Sequence, residues 1–477
     1  MLTILAVIHL LLVVSFTARI LLRDDLSPPA RLAWFIVLNV IPYVGVTIYF
    51  FFGEIDIGQR TKTRYKLVFD DISTRAVHLM GTPGSSEDLI DSAYLPAFNY
   101  AASVNGFYPV AGNTVELMSD AMATRDHLVR DIDAAEDHVH VLYYIWLDDQ
   151  TGTEIAEALI RAASRGVTCR ALADGLGSRA LIRSPVWHRM KSAGVRVAVT
   201  LPIDRLFRTM LTSRVDLRNH RKITVIDGRV TYCGSRNAAD PEFRVKPKYA
   251  PWVDIMMRFQ GPVVAQNQIL FVADWKIATG ENLDPIPTAV AEFENGFPAQ
   301  VLGDGPTIRR GATPQFFSVL IASARRQITI STPYFVPDAT LLEAICAAAF
   351  RGVRVTLIFP SRNDSWVVAA ASRSFYRRLL EAGCKIYEFR DGLLHAKTLT
   401  IDETVTVVGS TNLDLRSFDL NYENNILFQD EAATKAVRAR QSDYILRADC
   451  IGIEAVLAWS PVRRVWHNAV ATIGPIL

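Results

Sequence analysis

Cysteine is scarce in this sequence: five residues in 477, at Cys169, Cys233, Cys346, Cys384 and Cys450, with no CxxC spacing. An odd, scattered set excludes a disulfide frame and a structural zinc site. It reads as small core hydrophobes in a reducing compartment. Charge bias is also lacking, since 51 basic residues against 49 acidic ones leave a net charge of +2. Composition therefore provides no polyanion-binding surface. Only 21% of residues are charged while 50% are hydrophobic, which excludes a disordered or collagen-like chain. No carboxylate cluster has metal-ligand spacing, so no metal and no other cofactor is expected.

Apolar sequence is plentiful at the front. Leu2 to Ala18 and Ala33 to Phe52 contain no charged residue. About 20 apolar residues cross a bilayer core of about 30 Å. The second run has that length; the first reaches it if Ile20 to Leu22 extend it past a snorkelling Arg19. Nothing basic precedes Leu2, and no small-residue cleavage site follows, which argues against a signal peptide. The expectation is a two-helix transmembrane hairpin over 1–56, with Trp34 and Tyr49 as interfacial anchors. Arg60, Lys62, Arg64 and Lys66 outnumber Arg19, Arg23 and Arg31 between the runs, favouring a multi-pass protein with a cytoplasmic body.

Residues 57–110 show no strong pattern and read as a connecting collar on the membrane surface. Beyond them the chain repeats itself. His138 to Tyr144 runs toward Asp149, and Gln327 to Tyr334 runs toward Asp338. Arg165-Gly-Val and Arg351-Gly-Val each open an apolar strand, as do Ala193-Gly and Ala382-Gly. Matches in the same order indicate an internal duplication. The strand-helix alternation predicts an α/β protein of two sandwich lobes, 111–290 and 291–477.

The last match carries chemistry. His220, Lys222, Asp227 and Asn237 recur as His395, Lys397, Asp402 and Asn412, with His to Asn seventeen positions in both copies and only nine histidines in the chain. Residues two apart on a strand share a face, so each imidazole and ammonium emerge together. A hairpin turning at 227/228 would place Ser235 opposite His220 and bring Asn237 alongside; 402/403 would do the same for Asn412. Lysine and asparagine donors suit the non-bridging oxygens of a phosphodiester. One histidine can attack phosphorus while the other protonates the leaving oxygen, and two lysines can neutralise charge without a metal. Asp227 and Asp402 fit either a catalytic role or ordinary turn chemistry.

The paired HxKxxxxD…GSxN pattern resembles that of the phospholipase D superfamily, and both copies are complete. Residues from about 110 onward fit its two-lobed architecture. The chain as a whole, its N-terminal hairpin included, is similar to the superfamily's bacterial cardiolipin synthase branch. Shared features are Tyr143-Tyr-Ile, Asp174-Gly-Leu-Gly-Ser178, Trp252-Val-Asp254, Ser331-Thr-Pro-Tyr-Phe335 and Asn412-Leu-Asp-Leu-Arg416. The resemblance implies phosphatidyl transfer from one phosphatidylglycerol to another at a bacterial inner membrane, with glycerol released through a phosphohistidine. It favours His220 as nucleophile and His395 as acid, then base, with Asn237 and Asn412 on the substrate phosphate. Glu423 would orient a histidine; Asp240-Pro-Glu242 matches that position only loosely in the first half.

A phospholipase D-type hydrolase, or a transferase using another alcohol such as serine, would carry the same residues. So would a nucleic-acid phosphodiesterase, which the apolar front disfavours; no nucleic-acid partner is expected. A non-catalytic lipid-binding scaffold is the reading from another class. Residues 201–214 and the C-terminal Trp459, Arg463, Arg464 and Trp466 interleave apolar and basic side chains, as a membrane-surface element or a plain amphipathic helix would. His138 and His140 have no visible metal partners and read as structural.

Overall fold

The computed structural model describes the chain except for residues 1, 25, 27, 42, 54–58, 203–215, 287, 290 and 473–477. It divides into two units, 1–59 and 60–475.

The first unit contains three helices, α1 (Leu2–Leu21), α2 (Pro28–Val40) and α3 (Val44–Phe52). The second apolar run is therefore broken rather than continuous. Pro42 lacks the N–H that a helix interior needs, and Tyr43 takes φ 58° just before α3. Among the described residues no helix is long and apolar enough to cross a membrane. Tyr49, expected at an interface, is instead fully buried with Val13, Ile20, Leu38 and Val46, its ring 5.2 Å from that of Trp34.

The second unit opens with α4 (Gln59–Arg75). The segment read as a membrane-surface collar is part of the body's packing. Ile72 is buried in one core, and Ala97, Phe98 and Ala101 in another. Tyr65 of α4 stacks on Tyr422 at 4.8 Å, and Asp71 pairs with Lys276 at 2.7 Å.

The body is built on a 16-stranded sheet. Its first half supplies β1 (Val110–Leu117), β2 (His138–Tyr143), β3 (Thr168–Asp174), β4 (Arg196–Thr200), β5 (Ile223–Ile226), β6 (Val230–Gly234) and β7 (Met256–Gln260). The second supplies β8 (Phe297–Asp304), β9 (Gln327–Ser331), β10 (Arg354–Pro360), β11 (Lys385–Phe389), β12 (Thr398–Ile401), β13 (Val405–Gly409), β14 (Asn421–Gln429) and an edge strand, β15 (Ala448–Ile451). Each half runs in the same spatial order, β4-β3-β2-β5-β6-β7-β1 and β11-β10-β9-β12-β13-β14-β8. The halves join where β1 pairs antiparallel with β8. They thus share one continuous sheet within one compact unit.

Helices cover both faces. The crossovers α5 (Gln150–Ser164) and α7 (Ala339–Phe350) begin at the repeated aspartates, whose side chains accept from the Gly152 and Leu341 amides. They end at the repeated Arg-Gly pairs, where Gly166 and Gly352 take φ 93° and 91° as left-handed C-caps. On the other face α6 (Val263–Thr279), together with Val437 and Tyr444 of α9 (Glu431–Leu446), forms a core common to both halves. The second half also carries the helices α8 (Trp366–Ser374) and α10 (Pro461–Thr472).

Candidate active site

Both motif hairpins are one residue looser than a two-residue turn at 227/228 or 402/403. Ile226 pairs with Val230 and Ile401 with Val405, leaving three-residue loops. Asp227 and Gly228 take φ 51° and 63°, Asp402 and Glu403 53° and 61°, the left-handed pair of a type I′ turn. A one-residue slip exchanges faces, so Ser235 does not oppose His220.

A different pairing positions the histidines. The short strand Arg218–Asn219 adds in parallel to β14, Asn219 against Tyr422, and the His220 amide donates to the Tyr422 carbonyl at 2.9 Å. His220 therefore stands beside Glu423, with Nδ1 at 2.9 and 2.8 Å from Oε1 and Oε2. The second motif is the mirror case. Leu393–Leu394 pairs in parallel with Trp252–Val253, the His395 amide donates to the Val253 carbonyl, and Nδ1 of His395 lies 2.6 Å from Oδ1 of Asp254. Each histidine is thus held by a carboxylate from the other half of the chain.

Behind each carboxylate stands the serine of the GSxN motif. Ser235 Oγ donates to Asp254 at 2.6 Å, and Ser410 Oγ donates to Glu423. Asn421 Nδ2 donates to Glu423 at 3.2 Å. With Nδ1 engaged, Nε2 of each imidazole is the reactive nitrogen. Tyr144 meets His220 edge-on at 4.9 Å, and Trp252, stacked on Phe243 at 3.9 Å, lies 4.5 Å from His395.

His220, His395, Asn237 and Asn412 line one cavity of about 480 Å³. Its remaining wall is largely apolar, with Ile145, Phe243, Val336, Val367 and Val368, and Arg416 adds a cation. Asn237 spends Oδ1 on the Ile145 amide at 3.1 Å, which leaves its NH2 for a ligand. Asn412 Nδ2 donates to Ser417 Oγ at 3.1 Å while its buried Oδ1 has no partner. Turned over, that amide would accept from the Ser417 hydroxyl and free its NH2 instead. Lys222 and Lys397 are buried behind the histidines, each ammonium donating to its own motif's histidine carbonyl at 2.6 and 2.8 Å.

Burial governs the protonation of this cluster. It holds His220 well below the ordinary imidazole value, helped by Lys222, Lys397 and His395. Burial and Lys397 lower His395 too, but Asp254 opposes them. Burial pushes Glu423 up to about 7 against the pull of Lys222, and depresses Lys222 to about 7 and Lys397 to about 8. Asp254 is lowered despite its burial, by His395 and Lys397. The two histidine–carboxylate pairs are therefore unequal.

Asp227 and Asp402 do not line this cavity. Each lies five positions beyond its lysine, at the far end of the hairpin, and accepts from backbone amides. Asp227 takes those of Glu136, Asp137 and His138 at 2.8 to 3.0 Å. Asp402 takes those of Arg325, Arg326 and Gln327 at 2.7 to 2.8 Å, and the Tyr94 hydroxyl. Both fasten the start of β2 or β9 to the hairpin, in keeping with the turn chemistry open to them from the sequence. Glu242 is exposed and apart from the site.

Asp254 is the functional residue that spacing arguments missed. Ser235 to Asp254 is nineteen positions and Ser410 to Glu423 thirteen, so the two acids share no offset, and Glu242, seven positions after Ser235, matches only loosely. What the two acids share is local: each directly follows the two residues, Trp252-Val253 or Asn421-Tyr422, that pair in parallel with the segment leading into the opposite half's histidine. Residues 201–214 fall almost wholly outside the described residues. No group of three or more His, Cys, Asp or Glu among the described residues is arranged to hold a metal ion.

Comparison with known proteins agrees with this geometry. A family model described as "Cardiolipin synthase, PLD-like domain" matches residues 128–247 and 318–443, and one described as "Phospholipase D-nuclease N-terminal" matches 1–54. Cardiolipin synthase A of Serratia proteamaculans (strain 568) is 37% identical over 465 residues, covering 96% of this chain and 94% of that protein. Cardiolipin synthase A of Yersinia pseudotuberculosis serotype IB (strain PB1/+) is also 37% identical, over 463 residues, with 96% and 94% covered. Among solved structures, the phosphatidylserine synthase of Haemophilus influenzae Rd KW20 superposes with a TM-score of 0.59 at 15% identity, over 81% of this chain and 100% of that one, a likeness of fold. Two motif copies on one duplicated sheet, and relatives matched along nearly the whole chain, lead to one assignment: the chain belongs to the cardiolipin synthase family of phospholipase D-like enzymes.

Proposed function

We propose that the protein synthesises cardiolipin by moving a phosphatidyl group from one phosphatidylglycerol to a second, releasing glycerol. The observation that carries this reading is the convergence of His220 and His395 on one largely apolar cavity, each with Nδ1 held by a carboxylate. Nε2 of neutral His220 attacks phosphorus; the N–P bond forms as the bond to the glycerol oxygen breaks. His395 delivers its Nε2 proton to that oxygen, and glycerol leaves. The now neutral His395 takes the proton of the second lipid's headgroup hydroxyl, whose oxygen attacks phosphorus and frees His220.

Inequality of the pairs supports this division of labour. His220 is the more strongly depressed imidazole, suited to attack, while the ionised Asp254 supports a proton on His395. Lys222 and Lys397 offset charge on the non-bridging oxygens, and the amides of Asn237 and Asn412 donate to them. Asp227 and Asp402 act on strand placement alone.

Membrane association belongs to the same proposal. Residues 1–52 expose Leu10, Leu11, Val14, Leu22 and Val40 on their helices, a surface suited to lipid. A bacterial inner membrane with the body on its cytoplasmic side accords with the basic residues that follow.

Product analysis of the purified chain in phosphatidylglycerol mixed micelles, with EDTA present, tests the reading. Cardiolipin and glycerol in equal amounts support it. Phosphatidic acid alone makes water the acceptor and the protein a hydrolase, and cardiolipin formation that EDTA abolishes returns charge neutralisation to a metal.

A further inference from the structure

Away from the catalytic cavity lies a smaller one, of about 110 Å³, with three arginines in its wall. Arg373, Arg377, Arg464 and His467 line it, with Trp459 and Asn468. Arg373 is paired with Glu388 at 3.0 Å and Arg377 with Glu381 at 2.7 Å. No carboxylate among the described residues pairs with the Arg464 guanidinium. His467 is only 6% exposed, and its buried Nδ1 has no hydrogen-bond partner. A buried ring nitrogen left unsatisfied is costly unless a ligand engages it. Guanidinium groups and an imidazole around a small cavity match the tetrahedral oxygens of a phosphate.

The surface beside this cavity is apolar. On α10, His467 and Val470 face inward, while Val462, Val465 and Trp466 are 79%, 67% and 50% exposed. Trp466 stacks on Trp366 of α8 at 5.6 Å, and Trp366 is itself 63% exposed. Arg463 lies over the Trp459 ring at 4.4 Å. The helix carries two arginines and no acidic residue. Exposed tryptophan and valine beside unopposed arginine describe an element that lies in the interface of an anionic bilayer. The same α8 that presents Trp366 outward contributes Val367 and Val368 to the catalytic cavity.

We propose that α10 and the Trp366 end of α8 form a docking surface for an anionic lipid bilayer, with the arginine-lined cavity seating one headgroup phosphate. Docking there sets the mouth of the catalytic cavity against the lipid that fills it. The inference stands apart from the chemistry at His220 and His395, because its readout is binding rather than turnover.

Hydrogen exchange of the full chain in lipid nanodiscs tests it, comparing phosphatidylglycerol mixed with phosphatidylcholine against phosphatidylcholine alone. Exchange across 461–472 is expected to slow in the anionic discs by roughly fivefold or more, and Arg464→Gln to cancel most of that difference. Acyl-brominated phosphatidylglycerol should quench tryptophan fluorescence that Trp466→Ser removes, with an unchanged thermal midpoint showing both variants folded. Equal exchange in the two discs, or quenching untouched by Trp466→Ser, overturns the proposal. Protection reproduced by inorganic phosphate on the detergent-solubilised chain overturns it too, by making the cavity a site for soluble anions.

Discussion

Glu423 and His220 stand 203 positions apart in the chain and 2.8 Å apart in space. The carboxylate belongs to the second motif's half and the imidazole to the first, so neither half completes its own site. A group that touches the imidazole but does not line the cavity acts by orientation and charge. Glu423→Gln keeps the shape and removes the charge, and should lower kcat about 10²-fold or more with KM little changed. Glu423→Asp should recover part of the loss. An equal fall in kcat for both variants would make Glu423 a packing residue.

The two histidines should separate in a trapping experiment. With ³²P-labelled phosphatidylglycerol, His220→Ala should form no covalent phosphatidyl-enzyme. Asp254→Asn, which weakens proton transfer at His395, should still form it and should slow its turnover to cardiolipin. Label retained on the chain by His220→Ala would reverse the assignment of nucleophile.

Asp227→Ala and Asp402→Ala should behave as stability variants. Each strands three backbone amides that now donate to the carboxylate, a loss of about 2 kcal/mol or more. Thermal unfolding should shift down by several degrees while kcat, measured well below that transition, is retained. A collapse of kcat with an unchanged midpoint would return both aspartates to the chemistry.

The pH dependence of kcat/KM should be bell-shaped. Glu423, raised to about 7, must lose its proton to support an imidazolium at His220, so activity rises as pH climbs through that value. Lys222 and Lys397, lowered to about 7 and about 8, must keep their protons to offset phosphate charge, so activity falls above that range. These limbs are apparent values of a coupled cluster. In the double variant Lys222→Arg, Lys397→Arg the residual activity should lose the alkaline limb, because both guanidinium groups stay charged there. A limb that stays in place would assign it to another group.

The duplication and the motif pair were legible because they rest on repeated spacing, whereas the histidines are placed by parallel pairings between the halves and not by the expected hairpin register. The repeated aspartates at 149 and 338, and the glycines at 166 and 352, proved to be helix caps, local features that any helix of that length requires. Asp254 stayed hidden because the link to His395 runs through a two-residue parallel strand between halves, and no periodicity marks so short a pairing. At the front of the chain, twenty apolar residues suggest one span, whereas two described helices occupy that stretch, Pro28–Val40 and Val44–Phe52, and Tyr49 packs against Trp34. Residues 57–110 lacked a pattern because the helices there pack on more than one side of the body and show no single apolar stripe.

Joining both motifs in one polypeptide also released them from identity. Two copies of a half-length chain would have to bring the same acid to both imidazoles. Here one carboxylate is an aspartate and the other a glutamate, a single methylene apart, and their protonation leans in opposite directions. Two motifs in one chain thus need not match, and the two histidine–carboxylate pairs can be tuned by separate mutations.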